Sequence, residues 1–278
     1  MKNFKLKLAA VAFLIGTAVT PAFAGKGGSA AQIRDAIRST STDAIIAEVE
    51  QAESLICGEC STMIVGLTDH DDYRVRDVAA WWIARRPSLA GQLATTFKQD
   101  LVSGTALQVR NAADFLGSSS TFTSLPQLRQ AIKRSDLTVD AKLSIIRAVD
   151  RLGNLGGNEV LTHAMTDADA TVRWSAAKAW RDIRGQKDVA PVAALLRDPD
   201  ARVRAEAATV VGGFRFQGAT SVLENLVTTD PNPMVRKNSA WALGRIGASS
   251  SRAALTTAST DASSFVRLSA KAALASIR

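Results

Sequence analysis

The stretch Asp198-Pro199-Asp200-Ala201-Arg202-Val203-Arg204 returns as Asp230-Pro231-Asn232-Pro233-Met234-Val235-Arg236, and again as Asp261-Ala262-Ser263-Ser264-Phe265-Val266-Arg267. Each copy opens on an Asp, reaches a Val-Arg pair five residues on and runs into an alanine-rich segment. An Asp carboxylate accepts the orphan N–H groups of a first helical turn, and a proline directly after it suits the first helical position, where no N–H is needed. Each copy is therefore expected to start a helix, with the opening Asp as its cap.

With the Val as position zero, Ser239, Ala242, Leu243 and Ile246 follow Val235 at offsets 4, 7, 8 and 11. Ala270, Ala273, Leu274 and Ile277 follow Val266 in the same way, and Ala176, Ala179, Trp180 and Ile183 follow Val172. These offsets share one stripe of a 3.6-residue helix, so the stripe is the expected buried face. A small residue at offset 4 (Ala79, Ala113, Ala176, Ala207, Ser239, Ala270) leaves room for a neighbouring helix.

Anchors fall at Val75, Val109, Val139, Val172, Val203, Val235 and Val266, separated by 34, 30, 33, 31, 32 and 31 residues. The Val139 copy is the weakest, because Asp140 stands where the arginine should be. A regular period of this length marks a solenoid of repeated units. Each period has room for a second helix and two short turns, and Gly153, Gly185, Gly213, Gly244 and Gly247 are expected to punctuate helix ends. The unit is a helical hairpin.

The pattern Asp-x4-Val-Arg-x2-Ala-Ala-x-Ala-Leu-Gly resembles the HEAT repeat, in the short form of the phycobilisome-lyase-type HEAT-like repeats. The resemblance spans residues 55–278 and is closest from 156 onward. It implies an all-α fold, an α-α superhelix of about seven hairpins whose second helices line a concave surface. Ala30–Ser39 and Thr42–Ser54 read as two further helices without the Val-Arg pair. Residues 25–54, with Gly25–Ser29 as a flexible start, are thus a linker and N-terminal cap to the solenoid.

The first 24 residues read as a signal peptide. Lys2, Lys5 and Lys7 precede an uncharged run from Leu8 to Thr20, and Pro21-Ala22-Phe23-Ala24 ends in a small-x-small cleavage pattern. The apolar run is shorter than the about 20 residues of a spanning helix. The mature chain is expected to be exported without stable membrane insertion, and periplasmic if the source is a Gram-negative bacterium. Net charge is +8 for the whole chain. Without the three leader lysines it is +5, with 31 Lys and Arg against 26 Asp and Glu. That excess is modest, and together with export it argues against a nucleic-acid partner.

The Val-Arg arginines Arg76, Arg110, Arg173, Arg204, Arg236 and Arg267 recur at the period of the fold, at the edge of the buried stripe. They are expected to form a structural guanidinium–carboxylate ladder with turn aspartates of the same or the adjacent repeat, among them Asp167, Asp198, Asp230 and Asp261. Offsets 2 and 6 point away from the stripe. They carry Asp77 and Trp81, Asn111 and Phe115, Trp174 and Lys178, and Lys237 and Trp241. Aromatics beside cations on a solvent face suit a binding surface, so Trp81, Phe115, Trp174, Lys178, Lys237 and Trp241 are the candidate contact residues. Trp82 and Trp180 fall on the stripe and belong to the core.

Cys57-Gly58-Glu59-Cys60 holds the only two cysteines. A structural disulfide formed in an oxidising compartment and a thiol–disulfide redox pair both fit this spacing. The cluster Asp69-His70-Asp71-Asp72 matches no metal-site spacing and reads as a turn, so no metal and no cofactor is expected. No nucleophile–base pair, paired-acid constellation or phosphate loop stands out. The expected function is a non-catalytic module or scaffold that holds a protein or peptide on its concave face. An alternative follows from the resemblance: a lyase or lyase subunit similar to those that attach or detach bilins. The redox pair is another.

Overall fold

The computed structural model of the chain describes residues 28–277. The expected signal segment, residues 1–24, lies outside them. Among the described residues there is no strand, and the chain is all-α. It divides into two compact units, one ending at Leu152 and one beginning at Gly153.

The first unit holds α1 (Ala30–Ser39), α2 (Thr42–Gln51), α3 (Gly58–Gly66), α4 (Tyr73–Ala84), α5 (Pro87–Ser103), α6 (Ala106–Ser118), α7 (Leu125–Ala131) and α8 (Val139–Leu152). The second holds α9 (Asn158–Ala164), α10 (Ala170–Trp180), α11 (Ala190–Ala194), α12 (Ala201–Gly213), α13 (Thr220–Thr229), α14 (Pro233–Ile246), α15 (Arg252–Ala258) and α16 (Ser264–Ser276). Taken in pairs these are the α1–α2 cap and the seven hairpins that the period implies. Within each unit the second helices stack in series: α2 on α4, α4 on α6 and α6 on α8 in the first, then α10 on α12, α12 on α14 and α14 on α16 in the second. Each unit is a helical-repeat stack.

The anchors decide the packing. Val75, Val109, Val172, Val203, Val235 and Val266 are all fully buried. Each contributes about 1.5–3 kcal/mol by leaving water. Val139 does not belong to this set, being 38% exposed. In α8 the buried stripe is instead Ala141, Ile145, Ala148, Val149 and Leu152, at offsets 0, 4, 7, 8 and 11 from Ala141. The gaps of 30 and 33 residues around Val139 thereby become 32 and 31. Thr138 explains the misplacement: its hydroxyl, not an Asp, accepts the N–H of Ala141 at the helix start.

The opening aspartates act in the turn and not, as expected, at the helix cap. Asp198 and Asp230 precede their helices by three residues and do not cap them. The caps are Asp72, Asp169, Asp200 and Asn232, whose side chains accept from Arg74, Thr171, Arg202 and Met234 backbone N–H groups. Pro199 and Pro231 lie in the turn, while Pro233 takes the first helical position. The opening Asp accepts the N–H two residues on, as Asp198 does from Asp200 and Asp230 from Asn232. This fold-back sets the turn and leaves the carboxylate facing the preceding repeat.

Adjacent second helices meet without side chains between them. A Cβ placed on Gly117 would lie 2.6 Å from the Ala148 Cα, and one on Gly212 would lie 2.7 Å from the Ala242 Cα. Gly244 makes the same approach to Ala273 and so is not a helix end. Gly247, at φ 78°, is the left-handed residue that closes α14. The core tryptophans sit as expected: Trp82 is fully buried with Nε1 donating to the Ala52 carbonyl, and Trp180 donates to the Asp188 carbonyl.

Candidate functional site

In the second unit the ladder is regular. The Arg173 Nε and Nη2 atoms bind Asp198 at 2.7 and 2.8 Å. Arg204 binds Asp230 at 2.7 and 3.1 Å, and Arg236 binds Asp261 at 2.7 and 2.9 Å. Each carboxylate belongs to the next repeat. Each Nη1 donates backward to two carbonyls of its own turn: Asp167 and Ala168 for Arg173, Asp198 and Pro199 for Arg204, Asp230 and Pro231 for Arg236. One guanidinium therefore fixes a turn and joins it to its neighbour, through charge-assisted bonds of about 1.5–3 kcal/mol each. The bidentate carboxylates hold all three arginines above their ordinary pKa, and Arg236 holds the Asp261 carboxyl below the usual carboxylate range. Arg267 keeps only the carbonyl half, to Asp261 and Ala262, and is not paired with a carboxylate among the described residues. The Asp167 carboxylate accepts the N–H of Asp169.

The first unit rewires the ladder. Gly104 stands five residues before Val109, where an Asp would be, so the forward arm of Arg76 turns to Asp114 on α6 instead, at 2.9 and 2.6 Å. Both side chains are almost fully buried. Asp114 also accepts from Ser144 and from Arg147 on α8. Arg110 cannot take Asp136, which is claimed by Arg134 at 2.6 Å. It bonds the Asn111 side chain and reaches Asp140 at 3.4 Å. On the same face Arg151 bridges Asp77 at 2.7 Å and the Ser118 hydroxyl at 2.6 Å. Asp114, Arg147 and Arg151 escaped the sequence reading because they lie off the repeat positions.

The candidate contact residues fare unequally. Trp81 is half-buried, with the Arg85 guanidinium 3.9 Å from its ring centroid, and borders a cavity of ≈ 480 Å³ together with Asp77, Ser118 and Arg151. Trp174 is half-buried beneath Lys178, whose Nζ is 5.3 Å from the ring. Trp241 is 40% exposed, with Arg245 at 6.0 Å. Lys237 is half-buried one turn before it. Phe115 is not a surface residue. It is buried and stacked on Phe97 of α5 at 4.4 Å, because α6 is enclosed by α4, α5 and α8 and its residues 109–117 are buried on every side. Asn111 is buried there too, donating to Asp69.

Cys57 and Cys60 are joined as a disulfide across the first turn of α3. Cys60 is fully buried, and Cys57 is the helix N-cap, its sulfur accepting the Cys60 N–H. His70 turns inward on its own loop, Nδ1 accepting from the Asp72 N–H and the carbonyl from Arg76. Among the described residues no group of three His, Cys, Asp or Glu is placed to hold a metal ion. None of their helices is long and apolar enough to cross a membrane.

Residues 189–275 match the family model of HEAT repeats. Residues 189–275 are therefore HEAT repeats, and helical hairpins of the same kind make up the rest of the two units. No curated protein matches the sequence. Among solved structures, YibA of E. coli is similar over 99% of this chain and 97% of its own, at 13% identity and a TM-score of 0.58. Kap95p, described in complex with RanGDP, matches 89% of this chain with 40% of its own, at 13% identity and a TM-score of 0.55. At these identities the likeness shows the fold alone. The CpcE–CpcF phycocyanin lyase of Nostoc, at 12% identity over 95% of this chain and 100% of that one, reaches a TM-score of only 0.37 and carries no argument.

Proposed function

We propose that the chain is a non-catalytic HEAT-repeat binding module, exported by its first 24 residues, that holds a protein or peptide on the outward faces of its second helices. The observation that carries this reading is the pairing of incompletely buried tryptophans with cations at Trp174 and Lys178 and at Trp241 and Arg245. Such pairs supply contact area and charge together, as binding hot spots do. The ladder arginines that could otherwise compete for a ligand are engaged within the fold.

Panning a displayed random-peptide library on the purified chain tests the reading. Wild type should enrich binders, and W81A/W174A/W241A should lose them with its helical circular dichroism intact; equal enrichment by both would refute it. Fused to alkaline phosphatase, residues 1–24 should give a reporter active only outside the cytoplasm. The Cys57–Cys60 pair is assigned a bracing part at the start of α3, since Cys60 is sealed in the core. Catalytic turnover in an insulin-reduction assay would contradict that assignment.

A further inference from the structure

Beside Trp241 a groove of ≈ 560 Å³ runs between α14 and α16. Its apolar lining includes Trp241 and Leu268, the latter 70% exposed, and its rim holds Arg215 and Arg245. Arg215 sits in the turn that closes α12, at φ 54°, and Arg245 in the last turn of α14. The acids of this stretch are occupied elsewhere: Asp230 and Asp261 in the ladder, Glu224 on the hydroxyls of Ser250 and Ser251, Glu206 opposite Arg181. No carboxylate among the described residues pairs with Arg215 or Arg245.

The cavity beside Trp81 in the first unit is the contrasting case. Its cations are neutralised, Arg74 by Asp72 and Asp43 and Arg151 by Asp77, and the Arg85 stacked on Trp81 is paired with Glu53. Overall charge follows the same division. Residues 25–152 carry 15 Lys and Arg against 15 Asp and Glu, whereas 153–278 carry 16 against 11. The whole excess of +5 lies in the second unit.

Resting on the binding-module reading and narrowing it, we propose that the α14–α16 groove takes an acidic peptide segment. One apolar side chain lies against Trp241 and Leu268, and flanking carboxylates meet Arg215 and Arg245. An apolar floor with two unneutralised guanidiniums on its rim is complementary to that chemistry, whereas a neutral or basic segment would leave both cations unmatched. Phosphate polymers match the charge but leave the apolar floor empty.

The test uses a fluorescein-labelled peptide alternating Asp and Glu with Leu and Phe, and its Asn/Gln counterpart, in fluorescence anisotropy with the full chain. The acidic probe should bind, weaken as salt rises, and lose about tenfold or more in affinity in R215Q/R245Q and likewise in W241A/L268A. R74Q/R85Q in the first unit should bind it as wild type does. Equal affinity for the Asn/Gln peptide would overturn the acidic class while leaving the binding-module reading intact. Unchanged binding by W241A/L268A would reduce the effect to unspecific charge. Displacement by a single-stranded oligonucleotide or phosphatidylglycerol vesicles as effective as by unlabelled peptide would overturn the peptide assignment. Failure of the acidic probe to bind also overturns the inference, and only failure of library enrichment reaches the broader reading. Circular dichroism of each variant confirms folding.

Discussion

Residues 28–152 and 153–277 are built from the same hairpin but join neighbouring repeats differently. In the second unit Arg173, Arg204 and Arg236 spend both arms at the turns, one on their own carbonyls and one on the next Asp. The helix faces beside them need no ion pairs to hold the stack. Trp241, Leu268 and two arginines without a carboxylate partner stay at the surface. In the first unit the turn aspartates are missing or diverted, and cohesion moves onto the second helices through Arg76–Asp114–Arg147 and Asp77–Arg151. Those pairs consume the cations of that face. Where the connecting charges sit thus decides which unit has charge to offer a partner.

The two units should differ most in their response to the loss of Asp114. D114A leaves Arg76, only 2% exposed, without its carboxylate. A buried charge stripped of its partner costs about 3–5 kcal/mol. Equilibrium urea unfolding should show this loss, and a change below about 1 kcal/mol would mean that the first unit does not depend on the buried pair.

Next in size are the close helix approaches, which the two units share. G117A in the first and G212A in the second each push a methyl group against the backbone of the second helix of the next hairpin, at 2.6 and 2.7 Å from a Cα. Overpacking of this kind costs about 1–3 kcal/mol. Similar losses in the melting of both variants would sharpen the claim that only the charges differ between the units.

Smaller effects appear as pH dependence in the second unit, with opposite signs. Asp261 is depressed by the hydrogen bonds from Arg236, so its contribution is present above the ordinary carboxylate pKa of about 4 and lost as pH falls through its lower folded value. Wild type and D261N should therefore differ in stability at neutral pH and converge only in acid. Burial pushes the Glu206 carboxyl up, so its ionised form opposes folding and stability falls as pH rises through its folded pKa. E206Q should be more stable than wild type at neutral pH, a gain that shrinks as pH falls through that pKa and vanishes below the ordinary carboxylate value of about 4. A gain that persists in acid would contradict the burial argument.

The Val-Arg beat made the hairpins, the period and the ladder legible, because a buried anchor and its arginine must recur wherever the same unit stacks. The beat failed at Val139, where a threonine start and Lys142 replace the usual cues and only the stripe from Ala141 reveals the register. It also hid the difference between an Asp that caps a helix and one that folds the turn three residues earlier, since both precede the helix at similar spacing. Phe115 was misread because helical phase tells which side of a helix a residue takes, while the long α5 that covers that side is a tertiary fact. Trp241 and Lys237 were legible as outward positions. Arg215 lies in a turn outside the periodic pattern, so no offset could assign it to the groove.

The most direct measurement is a double-mutant cycle on Arg204 and Asp230, using R204Q, D230N and both together. Urea unfolding of the whole chain would be fitted to a nearest-neighbour model of stacked repeats. A ladder that joins consecutive repeats predicts a coupling of about 1 kcal/mol or more, with R236Q and D230N additive to within about 0.5 kcal/mol because Arg236 meets Asp230 only at its carbonyl. Additive losses from R204Q and D230N would contradict the account, for the arginine at each beat would then have no hold on the repeat that follows.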